Sequence, residues 1–172
     1  IDPIYSYGIA KHTAELYLKY FHNYYDLNYQ ILRYANVFGP RQPIYGEVGV
    51  IAIYTDRLIK GEPLIIFGDG KHQRDYIYVH DVVEFTVRSM LFRESSVYNV
   101  GRGCPVSVNE VFAEFQANNL QHNQATYKPE RYGEIGNFYS NIDHALSTGW
   151  RPKVTLKSGI KETIDYFKKS LL

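Results

Sequence analysis

The sequence predicts an α/β fold whose sheet is parallel in part. Short apolar runs of strand length alternate with longer segments whose apolar residues recur at helical spacing, and this alternation is typical of α/β proteins. The 172 residues are 45% hydrophobic and 22% charged, ordinary values for a globular chain that can bury a core. The chain contains neither an internal repeat nor a low-complexity linker, so we interpret residues 1–172 as a single unit.

The first half of the chain contains two predicted helices and two predicted strands. Helices are predicted where apolar residues recur every three or four positions, over residues 7 to about 25 and about 50 to 60. Strands are predicted where apolar runs end at a glycine, over residues 30–38 and 64–67. Ser6 is the predicted N-cap of the first helix, and residues 40–50, with two prolines and two glycines, are predicted to be a loop.

The second half continues the alternation. Strands are predicted over residues 76–79 and 97–100, and helices over residues 81–93, from the Ser107 capping box to about residue 118, over residues 143–149, and along the apolar stripe from Leu156 to Leu171. The helix over residues 81–93 is predicted to turn five apolar residues inward: Val82, Val83, Val87, Met90 and Leu91. The polar stretch 119–135 is predicted to be irregular.

Composition excludes several classes of protein. The 19 basic and 18 acidic residues nearly cancel, whereas a nucleic-acid binder usually carries a basic excess. Cys104 is the single cysteine, so an intramolecular disulfide is excluded and no cysteine cluster can bind a metal. No apolar run approaches membrane-spanning length and the chain has no signal-like opening. We therefore expect a soluble cytoplasmic protein that binds neither nucleic acid nor membrane.

Tyr7 and Lys11 are the first candidate catalytic residues. Four positions apart on a helix, they share one face, with their side chains one turn from each other. A free phenol keeps its proton near neutral pH, but a fixed ammonium nearby favours the phenolate. A phenolate can take a proton from an alcohol while a hydride leaves the same carbon for a nicotinamide. Spacing alone does not distinguish this redox pair from two residues on an ordinary amphipathic helix.

Two further segments place polar residues where α/β proteins bind ligands. Asn36 is the polar member of an apolar run, and ligands bind beyond the carboxyl ends of parallel strands. Arg74 follows Gly68 and Gly70; glycines permit close approach to a phosphate, and an arginine can clamp it with two hydrogen bonds. Taken singly, Asn36 also fits a turn-closing role and Arg74 a solvated surface turn.

The chain contains no complete glycine-rich dinucleotide fingerprint. Gly101 and Gly103 form a Gly-x-Gly pair after a predicted strand, but Val106 stands where the third glycine would be. We therefore reject this segment as a cofactor loop.

In order along the chain, these segments resemble the extended short-chain dehydrogenase/reductase family, the NAD-dependent sugar-nucleotide epimerases and dehydratases. The matching segments span essentially the whole chain: residues 6–11, 33–42, 46–51, 61–63, 67–70, 74–76, 78–79, 81–82, 98–101, 107–110 and 149–152. Residues 43–47 resemble bacterial UDP-glucose 4-epimerases more than dehydratases. The resemblance implies NAD as cofactor. It also implies the C-terminal part of a Rossmann-type parallel sheet together with the family's substrate-binding subdomain.

The resemblance also implies roles for individual residues. Tyr7 would be the catalytic base, Lys11 would hold the nicotinamide ribose and tune Tyr7, and Tyr34 would line the nicotinamide side. The remaining residues would bind the nucleotide sugar: Asn36 and the backbone of Val50 at the diphosphate region, Phe67 at the nucleobase, Arg74 and Arg131 at the two phosphates, and Glu134 at the nucleotide ribose. The family's usual residue at this last position is Asp, and Glu134 is longer.

The reaction implied is a transient oxidation at the sugar 4-position. We therefore expect the catalytic-helix and substrate-binding portion of an NAD-dependent UDP-sugar 4-epimerase. A nucleotide-sugar dehydratase or decarboxylase of the same family stays open, because the residues that distinguish these reactions are expected upstream of residue 1.

The NAD-binding N-terminal part, with its glycine fingerprint, is also expected upstream. Without it the chain is expected to be inactive by itself, so the alternative is an inert sugar-nucleotide-binding or dimerising module. The family's dimer interface includes the helix that bears Tyr7 and Lys11, and a homodimer through that helix is expected.

Overall fold

The computed structural model describes Pro3, residues 5–44, Gly46 and residues 48–118, 125–130 and 136–170. These ranges contain strands and helices in alternation, so the predicted α/β class is confirmed. The elements in chain order are α1 (Ser6–Tyr25), β1 (Gln30–Tyr34), β2 (Asn36–Phe38), α2 (Val50–Lys60), β3 (Leu64–Phe67), β4 (Gln73–Tyr78), α3 (Val79–Ser89), β5 (Ser96–Val100), β6 (Pro105–Ser107), α4 (Val108–Asn118), β7 (Ala125–Lys128), α5 (Asp143–Ser147) and α6 (Leu156–Ser170).

The described strands form three small sheets that are mostly parallel. β1 pairs with β5, and β3 pairs with β7, both in parallel. β4 lies in the middle of the third sheet, parallel to β2 and antiparallel to β6. The predicted parallel pairing is therefore confirmed, with β6 as the antiparallel exception.

The single strand predicted over residues 30–38 is wrong, because the chain changes sheets within it. Residues 30–34 pair with β5, and Ala35 extends that pairing by donating its N–H to the carbonyl of Val100 at 2.9 Å. From Asn36 onward the partner is β4, with Asn36 opposite Tyr76. The chain thus crosses between two sheets at one residue, and Asn36 lies directly beyond the carboxyl end of β1.

Several other boundaries differ from the sequence predictions. Tyr5, not Ser6, is the N-cap of α1, and it makes no side-chain capping bond. β7 occupies part of the stretch predicted to be irregular, because pairing with β3 gives a polar segment a place in a sheet. The capping box is confirmed: Ser107 N–H donates to Glu110 Oε2 at 2.8 Å, and Glu110 N–H donates to Ser107 Oγ at 3.2 Å.

Two hydrophobic clusters meet at β4. Tyr76 and Tyr78 pack into a cluster with α2, α4 and α6, whereas Ile77 packs into a second cluster with Phe85 and Trp150. The division follows from strand geometry, since successive side chains point to opposite faces. One strand therefore contributes to both cores.

The buried face of α3 differs from the predicted one. Val82 is buried as predicted, but its companions on the buried side are Phe85 and Ser89. The other four residues predicted to face inward are exposed: Val83, Val87, Met90 and Leu91. The prediction was wrong because valine, methionine and leucine were assigned inward by type, while the helical stripe that meets the sheet runs through positions 82, 85 and 89.

The helix α1 is also largely uncovered. All 20 of its residues are described, and none is buried. No helix in the described ranges combines the length and the apolar character that a membrane span requires.

Asp75, on β4, connects this strand to distant parts of the chain. Its side chain is fully buried, and its carboxylate accepts the backbone N–H groups of Arg102 at 2.9 Å, Gly103 at 3.1 Å and Ser140 at 3.4 Å. A Cβ on Gly101 would lie 2.2 Å from Asp75 Oδ2, so only glycine leaves room for the carboxylate. The loop that follows β5 is thereby attached to the middle strand of the neighbouring sheet.

Candidate active site

Four residues predicted to bind the nucleotide sugar line one cavity. Asn36, Val50, Phe67 and Arg74 all contribute to its wall, and its volume is about 290 Å³. The four come from three strands and one helix that are distant in sequence. Arg131 and Glu134 lie outside the described residues, so their placement beside this cavity stays a prediction.

Asn36 and Arg74 are held in place by backbone carbonyl groups. The Asn36 amide nitrogen Nδ2 donates to the carbonyl of Asp75 at 3.2 Å. Arg74 Nη1 donates to the carbonyl of Gln73 at 2.9 Å and to that of Gly136 at 2.5 Å. These bonds restrict the rotamers of two polar side chains that line the cavity, which lowers the entropy cost of binding a ligand.

The first two turns of α2 form one wall of the cavity. Val50, Ile53, Tyr54 and Arg57 all line it, as their spacing of three, four and seven positions on a helix allows. Gly49 is the N-cap and has no side chain of its own to cap the first turn. The N-terminus of a helix carries a partial positive charge and N–H groups that bind anions. This wall therefore suits a phosphate group.

The sequence analysis assigned none of the other residues in this wall. The residues that it did not assign are Val48, Gly49, Ile53, Tyr54, Arg57, Ile65, His72, Tyr76 and Val108. The helical spacing from Val50 would have identified the three on α2. His72 lies in the segment between Gly70 and Arg74 that was already singled out for its charges.

The phenols in the cavity wall are hydrogen-bonding groups and not acids or bases. Burial raises the pKa of Tyr76 to about 12, and burial raises the pKa of Tyr54 further. Tyr54 donates its hydroxyl proton to the carbonyl of Ile65 at 2.9 Å. Both phenols stay neutral over the physiological range. The described wall contains two arginines, one histidine and no carboxylate, so it provides positive charge for binding.

Tyr7 and Lys11 lie together on α1, as their spacing predicted. Lys11 Nζ is 5.5 Å from the centroid of the Tyr7 ring, within the range in which a ring face attracts a cation. The Tyr7 side chain is 69% exposed. Neither residue belongs to the described wall of the cavity, so the structure brings the pair together with each other and not with the four cavity residues.

Tyr34 and Arg33 point to opposite sides of β1. Arg33 Nε and Nη2 donate to the two carboxylate oxygens of Glu15 on α1, at 2.7 and 2.5 Å. The Tyr34 hydroxyl instead bonds Thr86 Oγ1 on α3 at 3.0 Å. Tyr34 therefore reaches the side of β1 that faces away from Glu15, and its predicted contact with the nicotinamide stays a prediction.

The backbone N–H groups of the Gly101–Gly103 segment have a structural role. The N–H groups of Arg102 and Gly103 donate to Asp75, as described above. A pyrophosphate would need such N–H groups for itself. The geometry agrees with the sequence-based rejection of this segment as a cofactor loop.

Comparisons with known proteins identify one family. The model of the "NAD dependent epimerase/dehydratase family" matches residues 1–101. A putative UDP-glucose 4-epimerase of Methanocaldococcus jannaschii is 38% identical over 170 residues, which cover 99% of this chain and 55% of that protein.

Two solved structures show the same fold. A UDP-glucose 4-epimerase of Thermotoga maritima with UDP-glucose has a TM-score of 0.95 and 44% identity, over 99% of this chain and 56% of that one. A Thermus thermophilus UDP-glucose 4-epimerase complex with NAD has a TM-score of 0.89 and 34% identity, over 97% of this chain and 55% of that one. The chain spans about half the length of the curated relatives it matches.

The Glu15–Arg33 pair attaches α1 to the sheet, and its contribution should depend on pH. The hydrogen bond with Arg33 lowers the pKa of Glu15 from its ordinary value of 4.5. Because folding lowers this pKa, the ionised Glu15 stabilises the folded chain above pH 4.5. That stabilisation is lost as the pH falls through the lowered pKa. Because Arg33 is 39% exposed, we expect Glu15→Gln to lower the free energy of unfolding by only about 1 kcal/mol near neutral pH.

Urea unfolding at several pH values measures this difference. Glu62→Gln is the matched control, since Glu62 is half exposed and lies 3.7 Å from Arg57; its effect should be at most about 0.5 kcal/mol. A Glu15→Gln effect that stays constant below the titration of Glu15 would contradict the role of the ion pair.

Proposed function

We propose a function for this chain from one premise: it belongs to the NAD-dependent epimerase/dehydratase family, whose model matches residues 1–101. The proposed function is that of the catalytic-helix and substrate-binding portion of a UDP-sugar 4-epimerase, with residues 1–172 acting as one unit. The observation that carries the proposal is the cavity in which Asn36, Val50, Phe67 and Arg74 meet.

The cavity suits a nucleoside diphosphate sugar. Arg57, Arg74 and the N-terminus of α2 supply positive charge for a diphosphate. Phe67 supplies an apolar ring on which a base can stack, and Asn36 supplies amide groups for hydrogen bonds. The structural neighbour from Thermotoga maritima contains UDP-glucose, which supports a UDP-sugar as the ligand of this cavity.

The described residues fit one end of NAD. Lys11 offers an ammonium donor for the hydroxyl groups of a ribose, and Tyr7 lies one helical turn away. The segment from Gly101 to Gly103 does not fit the pyrophosphate, because Asp75 accepts the N–H groups of Arg102 and Gly103. We therefore propose Tyr7, Lys11 and Tyr34 for the nicotinamide end only.

In the proposed reaction the residues of this chain move one proton and hold the sugar. When bound, NAD supplies a hydride acceptor that takes the hydride from the sugar carbon and returns it. The Tyr7 phenolate takes the proton of the sugar 4-hydroxyl and returns it after the keto sugar has turned. Lys11 places a positive charge beside the Tyr7 ring and is proposed to hold the nicotinamide ribose. Asn36 and Arg74 hold the diphosphate end in place.

The alternative proposal is an inert module that binds a sugar nucleotide or dimerises. One observation favours it: the catalytic pair lies on a helix without buried residues and outside the described wall of the cavity. A dehydratase or decarboxylase of the same family would use the same cavity, and product analysis distinguishes these reactions from epimerisation.

Homodimerisation through α1 is also proposed. Its exposed large side chains are mostly aromatic: Tyr7, Ile9, Leu16, Tyr17, Tyr20, Phe21, Tyr24 and Tyr25. Thr13, Leu16, Tyr17 and Tyr20 line a shallow depression on its surface. Apolar surface of this extent on one helix is typical of a protein interface.

Binding of UDP-glucose tests the cavity. We expect the chain to bind UDP-glucose without turning it over, and we expect Arg74→Gln to weaken binding about tenfold, since a charge-assisted bond to phosphate is lost. Isothermal titration calorimetry measures both affinities. Arg93→Gln is the control, because Arg93 is exposed and lies outside the described wall. Equal losses for both variants would exclude a specific role for Arg74.

Turnover tests Tyr7. In an active protein that contains this chain, Tyr7→Phe should lower kcat about a hundredfold or more, because the proton acceptor is lost, while UDP-glucose affinity changes little. Steady-state kinetics and binding measurements separate the two effects. An unchanged kcat would remove Tyr7 from the mechanism. Product formation by the unmodified chain alone, with NAD and UDP-glucose, would exclude the inert module.

Sedimentation tests the interface. Tyr17→Asp places a charge in the depression on α1, and we expect a dimer of the chain to become a monomer at micromolar concentration, because the charge would be desolvated. Val87→Asp is the control: Val87 is an equally exposed apolar residue on α3 and should leave the dimer intact. A monomeric wild-type chain, or dissociation by Val87→Asp alone, would contradict an interface on α1.

A further inference from the structure

The proposed nucleotide cavity extends along α2 from its N-terminus to Arg57. Val50, Tyr54 and Arg57 all line it, because positions four and seven residues after Val50 return to the same face of a helix. Seven residues of helix span about 10 Å. The charge of Arg57 acts on the whole cavity, but with the diphosphate at the N-terminus of α2 its hydrogen-bonding head group lies at the far end, where the nucleoside is expected.

The strand β3 forms the wall beside that far end. Ile65 and Phe67 line the cavity, and alternate residues of a strand share one face. Arg57 Nη1 donates to the carbonyl of Pro63, the residue before β3, at 3.0 Å, so the guanidinium is held against the same strand. A flat base that packs on the side chains of Ile65 and Phe67 therefore turns an edge toward Arg57.

Arg57 and Tyr54 present a donor and an acceptor to that edge. A guanidinium has five N–H donors and no acceptor, and the carbonyl of Pro63 takes only one of them. Tyr54 donates its hydroxyl proton to the carbonyl of Ile65, and its oxygen can still accept. Burial raises the pKa of Tyr54 and the charge of Arg57 lowers it, so the two groups lie near each other.

The guanidinium of Arg57 is oriented and partly shielded from water. Its side chain is 27% exposed, and Glu62 Oε2 lies 3.7 Å from Nη1, the nitrogen that also donates to Pro63. Glu62 does not belong to the described wall of the cavity. Partial burial strengthens a hydrogen bond from this group and raises the cost of leaving its partner mismatched.

We propose that Arg57 is a specificity-determining residue that selects uracil against cytosine as the base of the nucleotide sugar. This inference rests on the proposed function of the cavity. Uracil carries the acceptor O4 beside the donor N3–H, which match a donor and an acceptor in the wall. Cytosine carries an amino group in place of O4, so two donors would face each other at Arg57. A site built to hydrogen-bond one ligand rejects the analogue that leaves its polar groups unpaired.

The test compares the affinities for UDP-glucose and CDP-glucose, which differ only in the base. We expect the wild-type chain to prefer UDP-glucose by about tenfold or more, as for one charge-assisted hydrogen bond. Arg57→Gln should reduce this ratio to about threefold or less, because an amide can either donate or accept. Arg57→Glu should reduce it further, since a carboxylate only accepts and matches the cytosine amino group. Isothermal titration calorimetry at one pH measures these affinities.

The ratio of the two affinities separates recognition of the base from charge and from folding. A lost positive charge weakens the binding of both diphosphates alike and cancels in the ratio. Lys60→Gln is the matched control: it removes a positive charge from the same helix, outside the described wall of the cavity, and should keep the wild-type ratio. Circular dichroism checks that each variant is folded, because both Arg57 variants also lose the present bond to Pro63.

The outcomes distinguish the inference from the proposed function. A wild-type chain that binds both ligands equally, or folded Arg57 variants that keep the wild-type ratio, overturns the role of Arg57 and leaves the cavity assignment intact. A Lys60→Gln ratio as low as that of Arg57→Gln overturns it as well. A folded wild-type chain that binds neither ligand overturns the cavity assignment, and the inference with it.

Discussion

The buried carboxylate of Asp75 is the constraint on which the cavity depends. A carboxylate removed from water costs several kcal/mol unless its oxygens are satisfied, and here three backbone N–H groups donate to it. These bonds connect β4 to the loop after β5 and to the segment at Ser140. The neighbours of Asp75 on β4, Arg74 and Tyr76, line the cavity, and the Asp75 carbonyl accepts the Asn36 amide. The site is therefore positioned by a carboxylate that does not itself line it.

The cavity and the Tyr7–Lys11 pair, proposed to be catalytic, differ in how they are supported. The cavity is built on β4, which packs into two hydrophobic clusters. Tyr7 and Lys11 lie on a helix that buries no residue and is attached to β1 through the Glu15–Arg33 pair. Proteins locate binding sites on rigid elements and often draw mobile parts from regions with few buried contacts. This asymmetry explains why the chain is proposed to bind a nucleotide sugar and yet to need more than the described residues for turnover.

Helices with a one-sided apolar stripe were predictable because the signal is local: the capping box of Ser107 and the stripe of Leu156, Ile160 and Ile164 define α4 and α6. The change of sheet at Ala35 and the strand β7 were not, because both depend on partners distant in sequence. Four of the residues predicted to bind the nucleotide sugar line one cavity: Asn36, Val50, Phe67 and Arg74. They could be predicted because the matching segments follow the same order along this chain as in the family. Arg57 and His72 were missed because residue type alone gives no direction: Arg57 lines the cavity through its place on α2, and His72 through its place just before β4.

The most direct measurement of the central claim is the map of amide shifts when the isotopically labelled chain is titrated with UDP-glucose. If the cavity built around β4 is the binding site, the largest shifts fall on the Asn36 side-chain amide and on the backbone amides of Val50 and Phe67. Large shifts that leave these three amides unchanged, or no shifts anywhere in a folded chain at saturating ligand, would contradict the assignment of the cavity.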